Sequence, residues 1–218
     1  MAGVSDEGRG RTRRGRRLLS ECDEREFGAR GGKRSASVTN RSVSVRSASC
    51  RSALIVAVAE AEPVVARFRL RYDNASLGIP AHVTLLFPFV PAGELDEALF
   101  GELRELFVAQ PAFSFALVGV SRFPEVAWLA PEPAEPFRRL TELIRRRYPS
   151  YPPYEGIHDE VIPHLTVARG DETIQDELDA ALAPHLPIVA EVREVMLLEE
   201  QPDGQWRTRE RFPLGREA

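Results

Sequence analysis

The sequence predicts an α+β fold, in which a duplicated α/β unit forms two lobes with antiparallel sheets around a central cleft and pseudo-twofold symmetry. Three observations predict it. Short runs of apolar residues have the composition of strands, amphipathic helical stretches separate these runs, and one short motif occurs near residue 82 and again near residue 164. A helix, a motif strand, a second helix and a strand hairpin follow one another over residues 62–130 and again over 135–212.

Four helices are predicted where apolar residues recur every three or four positions, which places them on one face of a helix. In the third of these stretches the apolar positions alternate with outward-facing arginines, and the fourth begins with acidic residues that complement the helix dipole. The predicted helices cover residues 62–72, 94–108, 135–148 and 171–182.

Strands are predicted from alternating or continuous short apolar runs bounded by proline, glycine and asparagine. The Pro202-Asp203-Gly204 turn joins the last two into a hairpin, and the strand over 188–199 is the longest. The predicted strands cover residues 52–59, 81–87, 113–120, 126–130, 163–168, 188–199 and 206–212.

The charge changes sharply along the chain, which predicts two regions. Residues 1–51 contain 13 basic and 6 acidic residues, a net charge of +7, whereas the remainder contains 16 and 27, a net charge of −11. The first region is rich in Arg, Ser and Gly and has too few apolar residues to form a core, so we predict a disordered basic tail over 1–51. It is either a solvated tail or start-site artefact, or a nucleic-acid tether. The domain is predicted over 52–214, with lobes at about 52–130 and 131–214.

Composition also restricts the partners. A domain this acidic is poorly suited to follow a long phosphate backbone, which favours small or terminal substrates. Cys22 and Cys50 both lie in the basic region, so the domain has no disulfide framework or thiolate metal site. The apolar run over 53–59 is too short to span a bilayer. We therefore expect a cytoplasmic protein without a membrane segment, and a monomer.

The repeated motif places a histidine and a threonine two positions apart on a strand. Because side chains alternate faces along a strand, His82 and Thr84 face the same way, as do His164 and Thr166, while the intervening apolar residues face a core. Two such strands side by side would bring two imidazoles together across a cleft. The alternative is that both histidines are ordinary half-buried strand residues.

Paired imidazoles suit acid–base chemistry near neutral pH, because one ring can be neutral while the other carries a proton. In-line cleavage of a phosphodiester needs a base on the entering oxygen and an acid on the leaving oxygen. Threonine hydroxyls could donate hydrogen bonds to the charge that develops on the other oxygens. The rival chemistry is a metal site in which His158, Asp159 or Glu160 joins the two motif histidines.

The motifs resemble those of the 2H phosphoesterase superfamily, and more closely those of bacterial 2′-5′ RNA ligase-type (cyclic phosphodiesterase) proteins. The resemblance covers about residues 52–214 and is carried by His82-Val83-Thr84-Leu85 and Pro163-His164-Leu165-Thr166-Val167. It implies a two-lobed fold, catalysis without a metal or other cofactor, and action on 2′,3′-cyclic or 2′-5′ phosphodiester bonds. The paired motif does not identify the substrate, and the basic tail has no counterpart in the pattern.

Six further residues are candidates for contacting a substrate. Aromatic side chains can stack on a nucleobase, arginines that follow strand ends can contact phosphate, and a histidine six residues before the second motif can line the mouth of the cleft. These candidates are Phe123, Trp128, Tyr154, Arg122, Arg169 and His158.

Two other functions remain open at this point. The same cleft could serve a non-catalytic module that binds RNA ends or nucleotides. The chain could also be a structural, partner-binding protein, in which case neither motif histidine would matter. Turnover that survives chelation and depends on His82 distinguishes the enzyme from both.

Overall fold

The computed structural model describes residues 50–156 and 161–216. All four predicted helices are present: α1 (Glu62–Tyr72), α2 (Glu97–Val108), α3 (Glu135–Arg147) and α4 (Glu172–Leu182). The predicted tail over 1–51 lies almost entirely outside the described residues and stays a prediction.

Helices α2 and α4 each begin just after an aspartate that caps them. Asp96 accepts a hydrogen bond from the Leu99 amide at 2.8 Å, and Asp171 accepts one from the Ile174 amide at 3.2 Å. These bonds satisfy amides that have no partner within the first helical turn. Helix α2 therefore begins at Glu97 and not at the predicted residue 94, because Ala92–Glu94 forms a separate 3₁₀ turn.

In the part of the chain that the structure describes, eight strands complete the fold and form two four-stranded antiparallel sheets. The strands are β1 (Ser52–Ala57), β2 (His82–Leu86), β3 (Phe113–Phe123), β4 (Val126–Glu132), β5 (Leu165–Arg169), β6 (Ile188–Val192), β7 (Glu194–Glu200) and β8 (Trp206–Pro213). The first sheet has the order β2-β1-β7-β8 and the second sheet has the order β5-β4-β3-β6. Two antiparallel sheets with four helices confirm the predicted α+β class.

The sheets do not follow the predicted lobe boundary at residue 130. The β3–β4 hairpin joins the second motif strand, β5, and the β7–β8 hairpin joins the strands β1 and β2 from the start of the domain. Each hairpin has therefore crossed to the sheet of the other repeat. Backbone groups along a strand edge are alike in every sequence, so the duplication alone does not determine which strands pair.

The long strand predicted over 188–199 is two strands. The chain leaves the second sheet after Val192, and β7 then pairs with β1 in the first sheet. Buried residues alternate along β6, whereas β7 has a continuous buried run from Val195 to Leu198. Both patterns are compatible with one long strand, and the change of sheet at Arg193 has no signal in the periodicity.

The main core lies on the faces of the motif strands opposite the motif histidines. Val83 and Leu85 of β2 and Leu165 and Val167 of β5 are at most 1% exposed and belong to it. The helices also cross over between the repeats, because α1 packs against β5 and α3 packs against β2. In the part of the chain that the structure describes, no helix has the length and apolar character needed to cross a membrane.

Candidate active site

The two motif strands come together, with a histidine at the beginning of each. His82 is the first residue of β2 and His164 immediately precedes β5, and Cα atoms of β2 and β5 approach within 8 Å. Both histidines and both motif threonines are half-buried, while the residues between them are buried in the core. The predicted alternation is therefore present in both strands.

Both imidazoles are held by the same local hydrogen bond. His82 Nδ1 lies 2.7 Å from the carbonyl oxygen of Pro80, and His164 Nδ1 lies 2.7 Å from the carbonyl oxygen of Ile162. A carbonyl oxygen can only accept, so Nδ1 carries the proton in each ring. The neutral ring then has an unprotonated Nε2, which accepts a proton when the ring acts as a base and returns it when the ring acts as an acid.

Burial lowers the pKa of both motif histidines. It lowers the pKa of His82 from 6.5 to about 4, against a smaller upward effect of the Pro80 hydrogen bond. The Arg69 cation and His164 lower the pKa of His82 further, whereas Asp73 raises it. Burial also lowers the pKa of His164, and the Arg169 cation adds to this effect. A positive charge on His164 disfavours a second positive charge on His82. The pair therefore favours states in which at most one of the two rings is protonated at both nitrogens.

Two aromatic side chains pack against His164. Phe123 and Trp128 are stacked with ring centroids 4.8 Å apart, and their centroids lie 5.3 Å and 5.7 Å from that of His164 in edge-on geometry. Trp128 also lies directly opposite Thr166 in the β4–β5 register. The structure therefore brings both predicted aromatic residues to the second motif.

The residues that neighbour the first motif on β1 are aliphatic, in contrast to the aromatic residues beside His164. Ala57 lies opposite His82 and Ile55 lies opposite Thr84 in the β1–β2 register. Ile55 belongs to a small apolar cluster, separate from the main core, that contains Met196 and Leu198 of β7 and ends at Trp206. The surroundings of the two motif histidines thus differ in chemistry although the motifs match.

Tyr154 reaches the first motif from the loop before β5. Its side chain is hydrogen-bonded to Thr84, and its amide donates to the Phe87 carbonyl at 2.7 Å. Burial raises the pKa of the Tyr154 phenol, with smaller opposing effects from Thr84 and Arg169. Tyr154 has a backbone φ of 50°, a left-handed conformation that is uncommon for a bulky residue. The loop is therefore held against β2 in a strained conformation, at the threonine of the first motif.

Arg169 lies beside the second motif. Its Nε is 3.4 Å from Asp73 Oδ1, its side chain is 59% exposed, and its charge acts on both His164 and Tyr154. The predicted phosphate contact at Arg169 therefore has a cation in a suitable place, with one side accessible to solvent.

The family model of the 2′-5′ RNA ligase superfamily matches residues 57–204, which include both histidine motifs. The chain belongs to the 2′-5′ RNA ligase superfamily. This confirms the predicted relationship to the 2H phosphoesterases, and it supports a phosphoesterase-type enzyme.

Curated relatives of this superfamily member include two bacterial proteins named "Putative phosphoesterase". The one from Halalkalibacterium halodurans is 29% identical over 157 residues, which cover 69% of this chain and 88% of that protein. The one from Bacillus pumilus is 28% identical over 154 residues, which cover 69% of this chain and 89% of that protein. The similarity thus spans most of each relative.

Solved structures of similar fold include TT0787 of Thermus thermophilus, with 24% identity, a TM-score of 0.51, and coverage of 77% of this chain and 100% of that one. Escherichia coli LigT in its apo form has 19% identity, a TM-score of 0.50, and coverage of 76% and 98%. These likenesses show that the superfamily member shares the two-lobed fold of both proteins.

Two residues predicted to contact substrate, Arg122 and His158, are not placed beside the motif histidines by the structure of this superfamily member. Arg122 lies on the opposite face of β3 from Phe123, the neighbour of His164, and it forms ion pairs with Asp176, at 2.8 Å, and with Asp179 of α4. These carboxylates raise its pKa. The prediction that Arg122 contacts substrate is therefore not supported by its position. His158 lies outside the described residues, together with Asp159 and Glu160 of the rival metal site.

The sequence reasoning missed a buried charged group next to the first motif. Arg69 is 1% exposed on its side chain, and its Nε lies 3.4 Å from Asp73 Oδ2, which belongs to a side chain that is 2% exposed. Arg69 falls on the inward stripe of α1 with Val65, Phe68 and Tyr72, at the helical spacing of a core position. A charged residue at such a position was the signal available in the sequence.

Across the described residues, no group of three or more His, Cys, Asp or Glu side chains is arranged to hold a metal ion. The side chains that the structure places at the two motifs are the imidazoles of His82 and His164, the hydroxyls of Thr84 and Thr166, and the nearby cation of Arg169.

Proposed function

We propose that this protein is a metal-independent phosphoesterase that cleaves, or reversibly forms, 2′,3′-cyclic or 2′-5′ phosphodiester bonds in RNA ends or nucleotides. The observation that carries the proposal is the matched pair of imidazoles on adjacent strands, each with Nδ1 bonded to a backbone carbonyl at 2.7 Å. This arrangement prepares Nε2 of both rings for proton transfer. The family membership supports the same class of reaction.

In the proposed cleavage of a cyclic phosphate, one neutral histidine takes a proton from water at Nε2 as the water oxygen bonds to phosphorus. The other histidine, protonated at the start, gives its proton to the ribose oxygen as the bond from that oxygen to phosphorus breaks. The product is a phosphate monoester, and the two rings have exchanged protonation states. Exchange with solvent restores the original states.

We assign His82 as the base in the cleavage direction. Its pKa is lowered to about 4 by burial, and the buried Arg69 cation adds to this effect, so the ring is neutral over the physiological range. His164 is then the acid, and the negative charge of the bound phosphodiester raises its pKa and favours its protonated form. The roles reverse in the direction of bond formation.

Four further side chains have roles in this proposal. Thr84 and Thr166 donate hydrogen bonds to the non-bridging oxygens, with Thr84 oriented by Tyr154. Arg169 contacts the phosphate charge from the side of the second motif. Phe123, stacked on the buried Trp128, offers its edge or face to a nucleobase beside His164. The net negative charge of residues 52–218 favours a small or terminal substrate, such as a nucleotide or an RNA end.

The test is hydrolysis of nucleoside 2′,3′-cyclic phosphates and 2′-5′-linked dinucleotides with EDTA present. Wild type is compared with His82→Ala and His164→Ala, and with His185→Ala as the matched control, because His185 is exposed and lies in a turn after α4. We expect turnover in wild type and in the control, and a loss of at least about 10²-fold in each motif variant. The product, a 2′- or a 3′-phosphate, identifies the leaving oxygen.

Other results would overturn the proposal in different ways. Activity that is absent in EDTA and appears only with added metal contradicts the two-histidine mechanism. Nucleotide binding without any turnover supports the non-catalytic binding module instead. Equal activity in all three variants and wild type places the reaction elsewhere in the protein.

A further inference from the structure

Two side chains of α1 hold the short segment that leads into the first motif strand. Arg69 Nη2 donates a hydrogen bond to the Ile79 carbonyl at 3.2 Å, and Glu62 Oε1 accepts one from the Ala81 amide at 2.5 Å. These bonds lie on either side of Pro80. The segment is thus fixed at the residue before Pro80 and at the residue after it.

The group between these two attachments is the carbonyl that holds His82. Pro80 oxygen lies 2.7 Å from His82 Nδ1, and the Ala81 carbonyl accepts from the Val58 amide at 2.8 Å. Since Pro80 has no amide hydrogen of its own to anchor it, the direction of its carbonyl depends on the neighbouring residues. Glu62 and Arg69 supply two of the bonds that fix those neighbours.

Packing alone does not explain an arginine at position 69. Its side chain is 1% exposed, and burying a guanidinium is costly unless it is paired and hydrogen-bonded. An aliphatic residue would fill the same inward stripe of α1 without that cost. The guanidinium instead lies 3.4 Å from an Asp73 oxygen and 3.8 Å from Glu62 Oε1. It thus connects Glu62, which accepts from the Ala81 amide, with the Ile79 carbonyl, to which Arg69 itself donates.

We infer that Glu62 and Arg69 are positioning residues for His82, which act by fixing the Pro80 carbonyl and with it the Nδ1-protonated tautomer of the ring. The inference rests on the proposed function in one respect, namely that His82 transfers a proton through Nε2. The charged and titratable groups around His82 are Glu62 and Arg69 of α1, Asp73 just after that helix, His164 of the second motif, Arg169 at the end of β5, and Tyr154 beside Thr84.

Two conservative variants of Glu62 separate positioning from electrostatics. Glu62→Gln keeps an acceptor oxygen at the same reach but removes the charge, whereas Glu62→Asp keeps the charge but is one methylene too short to reach the Ala81 amide. Positioning predicts that Gln retains kcat within about threefold and that Asp loses about tenfold or more, since small displacements of a catalytic group are costly. Glu60→Asp is the matched control, because Glu60 is exposed in the turn before α1.

Nitrogen-15 NMR of the histidine side chains provides a readout that does not depend on activity. We expect His82 to have the Nδ1-protonated tautomer in wild type, in Glu62→Gln and in the control, and a mixture of tautomers in Glu62→Asp. The His82→Gln spectrum assigns the signals. Both variants keep a polar side chain at a half-exposed position, and thermal unfolding measured beside the NMR checks that they fold.

The inference is overturned if Glu62→Asp has the wild-type tautomer, or if Glu62→Gln is the impaired variant and Glu62→Asp is not. The second outcome would mean that the carboxylate acts by its charge. A wild-type protein without turnover on any phosphodiester would refute the proposed function, while the tautomer comparison would still test the positioning of His82.

Discussion

The low pKa of His82 makes the stability of the protein depend on pH, and a substitution of this histidine removes that dependence. The ring has a pKa of about 4 in the folded protein, against 6.5 in an unfolded chain. As the pH falls below 6.5 the unfolded state takes up the proton first, so folding loses stability progressively down to about pH 4. Above pH 6.5 neither state binds the proton, and the effect vanishes.

The size of this effect follows from the two pKa values. Each unit of difference corresponds to about 1.36 kcal/mol, so lowering the pH from 7.5 to 5 costs the folded state about 2 kcal/mol through His82 alone. The variant His82→Gln does not titrate in this range and escapes that cost. Its free energy of unfolding should therefore fall by about 2 kcal/mol less than that of wild type over the same interval.

Urea unfolding at pH 7.5, 6.5, 5.5 and 5 measures this difference, because all other titrating groups are common to both proteins. His185→Gln is the control, and we expect it to follow wild type because this histidine is exposed. Equal pH dependence of wild type and His82→Gln would refute the argument, since it would mean that His82 titrates normally in the folded protein. If the free energy of unfolding of His82→Gln fell more steeply with falling pH than that of wild type, the pKa of His82 would be raised by folding and not lowered.

The remaining predictions concern single side chains. Thr84→Val and Thr166→Val should each lower kcat on a cyclic nucleotide by about 10²-fold, because a hydrogen-bond donor to the transition-state charge is lost. KM should change less than about threefold, and an unchanged kcat would contradict this role. Arg122→Ala should keep kcat/KM within about twofold, because its guanidinium is paired with two carboxylates of α4 on the far side of β3; a large rise in KM would return it to the cleft. Gly78→Ala should destabilise the protein by about 1–3 kcal/mol, because its φ is 84° and a Cβ would lie 2.8 Å from the carbonyl oxygen that begins β8. Gly101→Ala is its matched control within α2, where a Cβ meets nothing within 4 Å, and chemical denaturation should show it to be about 0.5–1 kcal/mol more stable than wild type.

The local structure around both motifs was predictable because it depends on short-range rules. Alternation along a strand places His82 with Thr84 and His164 with Thr166, whatever the rest of the fold does. The apolar residues between them define which face meets the core, and Val83 and Leu165 are both fully buried there. Phe123 and Trp128 were predicted as candidates by residue type, and the structure places both beside His164.

The environment of the histidines was less accessible to sequence reasoning. The apolar stripe of α1 indicates that Arg69 occupies an inward position, but it does not indicate that Asp73, which follows the helix, is the buried partner of Arg69. The burial of this pair follows from packing α1 against β5, an element about a hundred residues later in the chain. Arg122 shows the converse error, because a strand-end arginine is a reasonable phosphate ligand until α4 is found on its face of β3.

The sequence by itself determined the α+β class, the four helices and the two histidine–threonine faces, because periodicity records which side of each element is buried. The tertiary structure alone decided that the β3–β4 and β7–β8 hairpins each join the sheet of the other repeat. It also decided that residues 188–200 form two strands, one in each sheet, separated at Arg193. Strand edges pair through backbone groups that are the same for nearly every residue, so a strand's periodicity does not specify its neighbour. The neighbours are chosen by how all the apolar faces pack together at once, and that choice brings the two motif strands side by side.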